Sequence, residues 1–353
     1  MTGIMQMVLV GIAKVFSGFT TPALMNGSTS VAYIKAVTVN SSGLFVAIGY
    51  NGSGYPVYAT SSNGSTWTTP ALMNGSTSVA YMRAITVNSS GLFVAVGDNN
   101  SNYPVYATSS NGSTWTTPTL ITGVSQTYLY SVAVNSSGLF VAVGYEPPGY
   151  PVYTTSSNGS TWTTPAYMNG STSVAYIKAV TVNSSGLFVA VGYDSSIKPV
   201  YAKSSNGSTW TTPANMIIGG SDTMFTQSIA VNNSGVFSAV GYDNSASNFP
   251  VCAKSTDGIN WSVTIMGVFG SLSTCYIGSI TVNSSGLFVA VGRKTNGPAY
   301  STSADGYNWS IPALMNGSTV SANMTSVTVN TAGTFVAVGT ESSNYPVYAI
   351  SIN

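Results

Sequence analysis

The chain contains no histidine. That absence removes Ser-His-Asp and Cys-His nucleophile systems, together with the commonest protein metal ligand. Charge is almost as scarce. Asp, Glu, Lys and Arg make up 5% of the 353 residues, against about 25% in an average soluble domain. The nine Lys plus Arg are scattered and the formal net charge is +1. A nucleic-acid binder needs a concentrated basic stripe that displaces counterions, so no nucleic-acid partner is expected. Cysteine is limited to Cys252 and Cys275, too few for a disulfide scaffold. The pair is either one bridge between neighbouring repeats or two buried thiols. Phosphate-cradling loops and clustered metal-ligand spacings are also missing, so no cofactor or metal is expected.

A long apolar run is missing too. Met1 to Phe16 is apolar but interrupted by Gln6, Gly11 and Lys14. It falls short of the roughly 18 apolar residues of a membrane helix, so no transmembrane segment is expected. It also lacks the basic start and small-residue cleavage site of a secretion signal. Residues 1–16 therefore read as an extension. It either packs on the fold as a strand or plug, or anchors the chain to protein partners in a larger assembly.

What the chain does have is repetition. The phrase Asn40-Ser-Ser-Gly-Leu-Phe-Val-Ala-Ile-Gly49 recurs seven times with small changes, and its turn glycines, from Gly43 to Gly333, are spaced 47 to 51 residues apart. Such a period, built from strands and turns, predicts a β-propeller. Each unit reads as four antiparallel strands. The first is Tyr33 to Asn40. The second, Leu44 to Tyr50, is nearly all apolar, as suits a strand buried on both faces. The third opens at Pro56. An Asn63-Gly64 turn, read as placing both residues at positive φ, leads to a short fourth strand, Trp67 to Pro70.

Trp67, Trp115, Trp162, Trp210, Trp261 and Trp309 begin six fourth strands. The seventh repeat stops at Asn353, before its own. The missing piece stands at the other end, in Ser17 to Pro22, with Phe19 in the tryptophan's place. Residues 17–353 are thus expected to form one all-β, seven-bladed propeller, closed by pairing the N-terminal strand with the C-terminal blade. Closure removes the exposed sheet interfaces of an open array. An open β-solenoid is the alternative, but it would not need the two ends cut at matching points.

The turns before the tryptophans, Ser255-Thr-Asp257-Gly-Ile-Asn-Trp261 and Ser303-Ala-Asp305-Gly-Tyr-Asn-Trp309, resemble the Asp-box, or bacterial neuraminidase repeat. Asn63, Asn111, Asn158 and Asn206 replace the Asp in four others, and every copy is one residue shorter between Asp and Trp than the family pattern. The resemblance implies a turn that staples each blade, with Asp257, Asp305 and the tryptophans in structural roles. It implies little about activity, because the family includes sialidases, other glycan-processing enzymes and non-enzymatic propellers. Sialidases hold the substrate carboxylate with three arginines, whereas this chain has only Arg83 and Arg293.

A two-carboxylate glycosidase requires a suitable acid pair. Asp98, Glu146, Asp194, Asp243 and Glu341 all follow second strands and are expected on one face of the disc, and Asp222 stands alone. Lys35, Arg83 and Lys178, at the starts of first strands, should share that face, placing Arg83 near Asp98 and Lys178 near Asp194. Tyr55, Tyr103, Tyr150, Phe249 and Tyr345 precede the third strands and should lie near it as well. These groups form either a ligand-binding polar ring or surface ion pairs worth about 0–1 kcal/mol each, with aromatics packed under their own loops. The leading expectation is a non-enzymatic structural or interaction propeller, part of a virion or other extracellular assembly. A glycan- or receptor-binding module using the inter-blade loop face, with a cell-surface glycan as partner, is the alternative. A glycan hydrolase ranks third.

Overall fold

A computed structural model describes residues 16–352, except 29, 124–125, 217–222, 244–247, 268–273, 296 and 319–320. Residues 1–15 and Asp222 lie outside the described set. Strands pair into seven antiparallel sheets, six of four strands and one completed by both chain ends. The molecule is therefore the seven-bladed propeller expected from the repeat. Blade 1 is typical: Ala32–Val39, Phe45–Asn51, Pro56–Ser61 and Ala71–Leu72 run in order from the axis outward.

Closure follows the cut in the repeat. Blade 7 contributes Ala322–Val329, Phe335–Glu341 and Pro346–Ile352. Gly18 and Phe19 pair with Ile352 and Ser351, and Ala23 and Leu24 pair with Tyr348 and Val347. Phe19 is 1% exposed and meets Phe16 and Tyr300 edge-on at 5.4 and 5.5 Å. Phe16, read from sequence as the end of the extension, is thus packed into the ring. Ser326 of blade 7 accepts the Val37 N–H of blade 1 at 3.2 Å, and Ser279, Ser228 and Ser131 serve the same position in other blades.

The second strands explain their own composition. Val336 and Val338 pack against blade 1, while Phe335 and Ala337 pack with Val289 and Val291 of blade 6. Both faces are buried between neighbouring sheets, so alternation gives way to a continuous apolar run. Cys252 and Cys275 are free thiols in the cluster between blades 5 and 6, and burial pushes each up to about 12.

Two local expectations are corrected. Trp67 to Pro70 is not the paired fourth strand. Thr68 N–H bonds Thr60 O at 2.9 Å, but the ladder proper begins after Pro70, with Ala71 and Leu72 opposite Tyr58 and Val57. Proline has no N–H to donate. Blade 5 has no proline there, and its fourth strand lengthens to Ser262–Ile265. In the Asn63-Gly64 turn only Gly64 has positive φ, 77°. Asn63 instead accepts the N–H groups of Ser65 and Thr66 at 2.9 and 2.8 Å, while Ser61 accepts that of Gly64. The side chain closes the turn by supplying the acceptor itself. Trp67 Nε1 then donates to Gly64 O at 3.0 Å, pinning the ring over the turn.

Candidate functional site

Every first strand carries a bulge at the same place. In blade 1 Ile34 pairs with Gly49 and Ala36 with Ile48, leaving Lys35 between them. The same slip falls on Arg83, Tyr130 and Lys178 in blades 2 to 4. In blades 5 to 7 it falls on Gln227, Gly278 and Thr325. A bulge bends its strand and re-aims a side chain. The glycine of each second strand makes room for it: a Cβ on Gly49 would lie 2.0 Å from Tyr33 O, and one on Gly97 would lie 2.1 Å from Tyr81 O. First strands of adjacent blades pack on one another around the axis, so the bulge side chains converge there. Lys35, Arg83, Tyr130, Gln227, Gly278 and Thr325 share the wall of a cavity of about 600 Å³.

An aromatic belt surrounds this centre. Tyr128, Tyr145, Tyr176, Tyr193, Phe225, Tyr242 and Tyr276 form an unbroken chain with ring centroids 5.0 to 5.4 Å apart. Tyr33, Tyr50 and Tyr81 form a second, shorter chain. Alternating edge-to-face contacts suit the ring quadrupoles. The belt is broken in two places. In blade 2, Asp98 stands where other blades place an aromatic opposite the first strand's own. In blades 6 and 7, Arg293, Asn323 and Thr340 occupy belt positions.

The cations lie on this belt. Lys178 Nζ sits 3.8 Å from the Tyr130 ring centroid and 4.9 Å from that of Tyr145. Lys35 Nζ is 5.3 Å from the Tyr50 centroid, and the Arg293 guanidinium is 5.0 Å from that of Tyr276. Arg83 forms a two-pronged pair with Asp98, whose side chain is 1% exposed, and also covers Tyr130 at 5.0 Å. Burial raises Asp98 above its ordinary range, against the opposing pull of Arg83. Lys35 and Lys178 have no carboxylate within ion-pairing distance among the described residues. Burial, reinforced by the nearby Arg83 charge, lowers both ammonium groups, Lys178 to about 8. Burial also raises Tyr145, which bonds Tyr130 hydroxyl to hydroxyl at 3.2 Å. A second cavity of about 450 Å³ opens from the first at blades 6, 7 and 1 and shares Lys35, Tyr276, Arg293, Asn323 and Thr325 with it.

The residues singled out in the sequence divide between the axis and the loops. Arg83 and Asp98 meet at the axis. Lys178 does not meet Asp194: it faces Tyr130, Tyr145 and Tyr193. Asp194 accepts the N–H groups of Ser196 and Lys198, as Asn51 does for Ser53 and Tyr55. Asp243 is buried and accepts the Phe249 N–H. The reason is register. Asp98 stands one residue earlier in its strand than Glu146, Asp194, Asp243 and Glu341, so its side chain turns to the other face. Glu146 bonds the Tyr167 hydroxyl, and Tyr150 packs edge-on against that ring at 5.7 Å. Tyr55, Tyr103, Tyr150 and Tyr345 close their own loops, and none of them lines either axial cavity, although Tyr103 is 38% exposed. Glu341 is the single carboxylate lining the two cavities among the described residues. The turn aspartates act as expected of their geometry. Desolvation alone would raise Asp305, but N–H groups of Asn308 and Tyr307, the Asn308 amide and the Ser303 hydroxyl hold it down to about 2. Sequence reading missed Tyr130, Gln227, Tyr276 and Arg293 as members of one site.

Similarity to solved structures is broad. The chain superposes on YCF48 from Cyanidioschyzon merolae with a TM-score of 0.62 at 13% identity, covering 94% of this chain and 98% of that one. The BP39L lectin from Burkholderia pseudomallei gives 0.67 at 12% identity, over 91% and 96%. The Hadza microbial sialidase Hz136 gives 0.54 at 15% identity, over 84% and 73%. At such identities the likeness shows the propeller fold alone. No protein-family model and no curated protein sequence matches the chain. No helix among the described residues is long and apolar enough to cross a membrane.

Proposed function

We propose that this chain is a non-enzymatic binding propeller that captures its ligand in the axial cavity. One observation carries the reading: Lys35, on the wall of both cavities, and Lys178, at the matching bulge of blade 4, have no carboxylate within ion-pairing distance among the described residues. Removing an ammonium from water is costly, and cation–π contacts offset only part of that cost. Such a cluster disfavours folding and favours the arrival of an anion. The glycine-permitted bulges that aim these side chains inward give the site a rigid frame. Among the described residues the two cavities offer Glu341 alone, not the acid pair a glycosidase uses.

Similar propellers lend support by analogy: BP39L is described as a lectin, and one YCF48 structure is described as bound to D1 peptide. Kinship with Asp-box propellers belongs to the same reading and is supported by the Asp257 and Asp305 turns. So does display on a virion or other extracellular assembly, with residues 1–15 as attachment to protein partners. The support there is the near-absence of surface charge, which leaves little repulsion between copies. Binding of the full chain to arrayed glycans and peptides tests the central claim. Lys35→Met should abolish the captured signals, while Tyr103→Ala, on the loop rim, should keep them. The reverse pattern would move the binding face to the rim and overturn the proposal.

A further inference from the structure

We infer that the axial site recognises an acidic sugar, a pyranose bearing a carboxylate, seated where the aromatic belt opens at blades 6 and 7. This rests on the reading of the axial cavity as a binding site and adds the chemistry and place of its ligand.

The repeat gives all seven blades the same backbone, so differences around the axis come from side chains. In blades 3 to 5 the belt rings are packed against one another without a break. In blade 6 the bulge residue is Gly278, which supplies no side chain, and in blade 7 the belt pair is Asn323 opposite Thr340. The result is a slot with an aromatic bank on each side. One bank is Tyr276, with Arg293 over its ring; the other is Tyr33, with Lys35 5.9 Å from its centroid. The slot's cavity, about 450 Å³, falls within the about 300–1,000 Å³ of small-molecule pockets.

The cations, polar groups and rings of the slot match an acidic pyranose, and Glu341, the carboxylate on its wall, is left to accept from a ring hydroxyl. The sugar's carboxylate answers Lys35 and the Arg293 guanidinium, whose planar fork suits that anion. Ring hydroxyls, which donate and accept, meet Asn323, Thr325, Thr340 and Ser321, side chains that do both. The C–H face of the sugar packs on a tyrosine ring. An extended peptide fits less well. It would bind by adding a strand to a free sheet edge, and on the axial edge of the first strands the Val37 and Val327 N–H groups already donate to the hydroxyls of Ser326 and Ser279 in the neighbouring blade.

Calorimetric titration of the full chain tests the inference with oligosaccharides ending in glucuronic acid or N-acetylneuraminic acid, each beside its neutral counterpart, and with an acidic peptide. One acidic sugar should bind at least about tenfold tighter than its neutral partner in about 50 mM salt, and the advantage should shrink in about 300 mM salt. Which of the two does so identifies the source of the carboxylate. Arg293→Gln and Lys35→Met should each remove most of the preference, and Asn323→Ala should weaken acidic and neutral forms alike. Arg293 is exposed, so its variant keeps the fold, and circular dichroism checks the others. Equal affinity for acidic and neutral sugars, or a preference untouched by both cation variants, overturns the inference. Binding of the peptide or a neutral sugar alone, lost in Lys35→Met, overturns it while leaving the axial binding reading standing. Absence of binding in every arm overturns both.

Discussion

Replacing Lys178 by methionine should make the protein more stable at neutral pH. The side chain sits among Tyr130, Tyr145 and Tyr193, with Arg83 as its charged neighbour. Its ordinary pKa is 10.5, and burial followed by Arg83 lowers it to about 8. At about 1.4 kcal/mol per pH unit, that gap is a penalty of about 3 kcal/mol below pH 8. Methionine removes the penalty and gives up cation–π contacts worth about 0.5–2 kcal/mol, while its thioether keeps contact with the rings. A net gain of about 1–2 kcal/mol at pH 7 is expected. Between pH 8 and 10.5 the unfolded chain keeps a proton that the folded chain has lost. Wild-type stability therefore rises with pH in that window, and the variant's advantage should shrink by about 2 kcal/mol at about pH 9.5. Lys35, also lowered, adds a slope of the same sign to both proteins and cancels in the comparison. Tyr193, raised to about 12, and Tyr145, raised by burial, act in the opposite direction only above the ordinary tyrosine value of 10.0. Chemical denaturation at about pH 7 and 9.5, with the slopes compared, provides the measurement. A variant less stable at pH 7, or a difference that does not change with pH, would refute the reasoning.

Other substitutions probe the frame. Gly97→Ala puts a Cβ 2.1 Å from Tyr81 O, a contact between backbone-anchored atoms, and should cost about 3 kcal/mol or more. Gly91→Ala, in open space at φ 87°, should cost about 1–2 kcal/mol from backbone strain alone; equal losses in thermal melts would show that the bulge does not demand glycine. Phe19→Ala should cost about 3–5 kcal/mol and make blade 7 the first site of limited proteolysis, whereas unchanged protection would mean that closure does not depend on that ring. Asp305→Asn should cost about 1–2 kcal/mol at pH 7, because the amide nitrogen that replaces Oδ2 cannot accept from the Asn308 side chain, whereas the Asn63 amide donates to Thr66 instead. Since Asp305 is held at about 2, below its ordinary 3.8, its stabilisation is full above about pH 4 and is lost as pH falls through about 2. The variant should lose that dependence in an acid titration, and an unchanged acid limb would contradict the account.

Much of the blade was legible because strand chemistry is local. The apolar run Phe45 to Ile48, the proline opening the third strand and the turn glycines each report the burial or φ that their own position needs. The site was half legible. Arg83 and Asp98 were placed together because they belong to one blade. The bulge itself left a trace: Ile34 and Val37 are both buried three residues apart, which breaks strict alternation. A separate offset, in the second strand, decides Asp98: it follows Phe93 by five residues where Asp194 follows Phe188 by six, and reading that difference would have moved Asp98 inward and separated it from Asp194. Tyr130, Gln227, Tyr276 and Arg293 left no such trace, since they come from different blades and nothing in their own neighbourhoods signals a shared cavity.

The sequence by itself determined the number of blades, the point of closure and the staple in each turn. These depend on periodicity and on contacts within one repeat or between the two chain ends. Only the tertiary structure decided which residues face the axis and what fills it. That outcome requires the bulge to rotate one side chain per blade and the closed ring to bring seven distant positions together. The uneven choice of side chains at those positions, with Gly278, Asn323 and Thr340 on one side and packed tyrosines on the other, then turns a symmetric frame into a one-sided site.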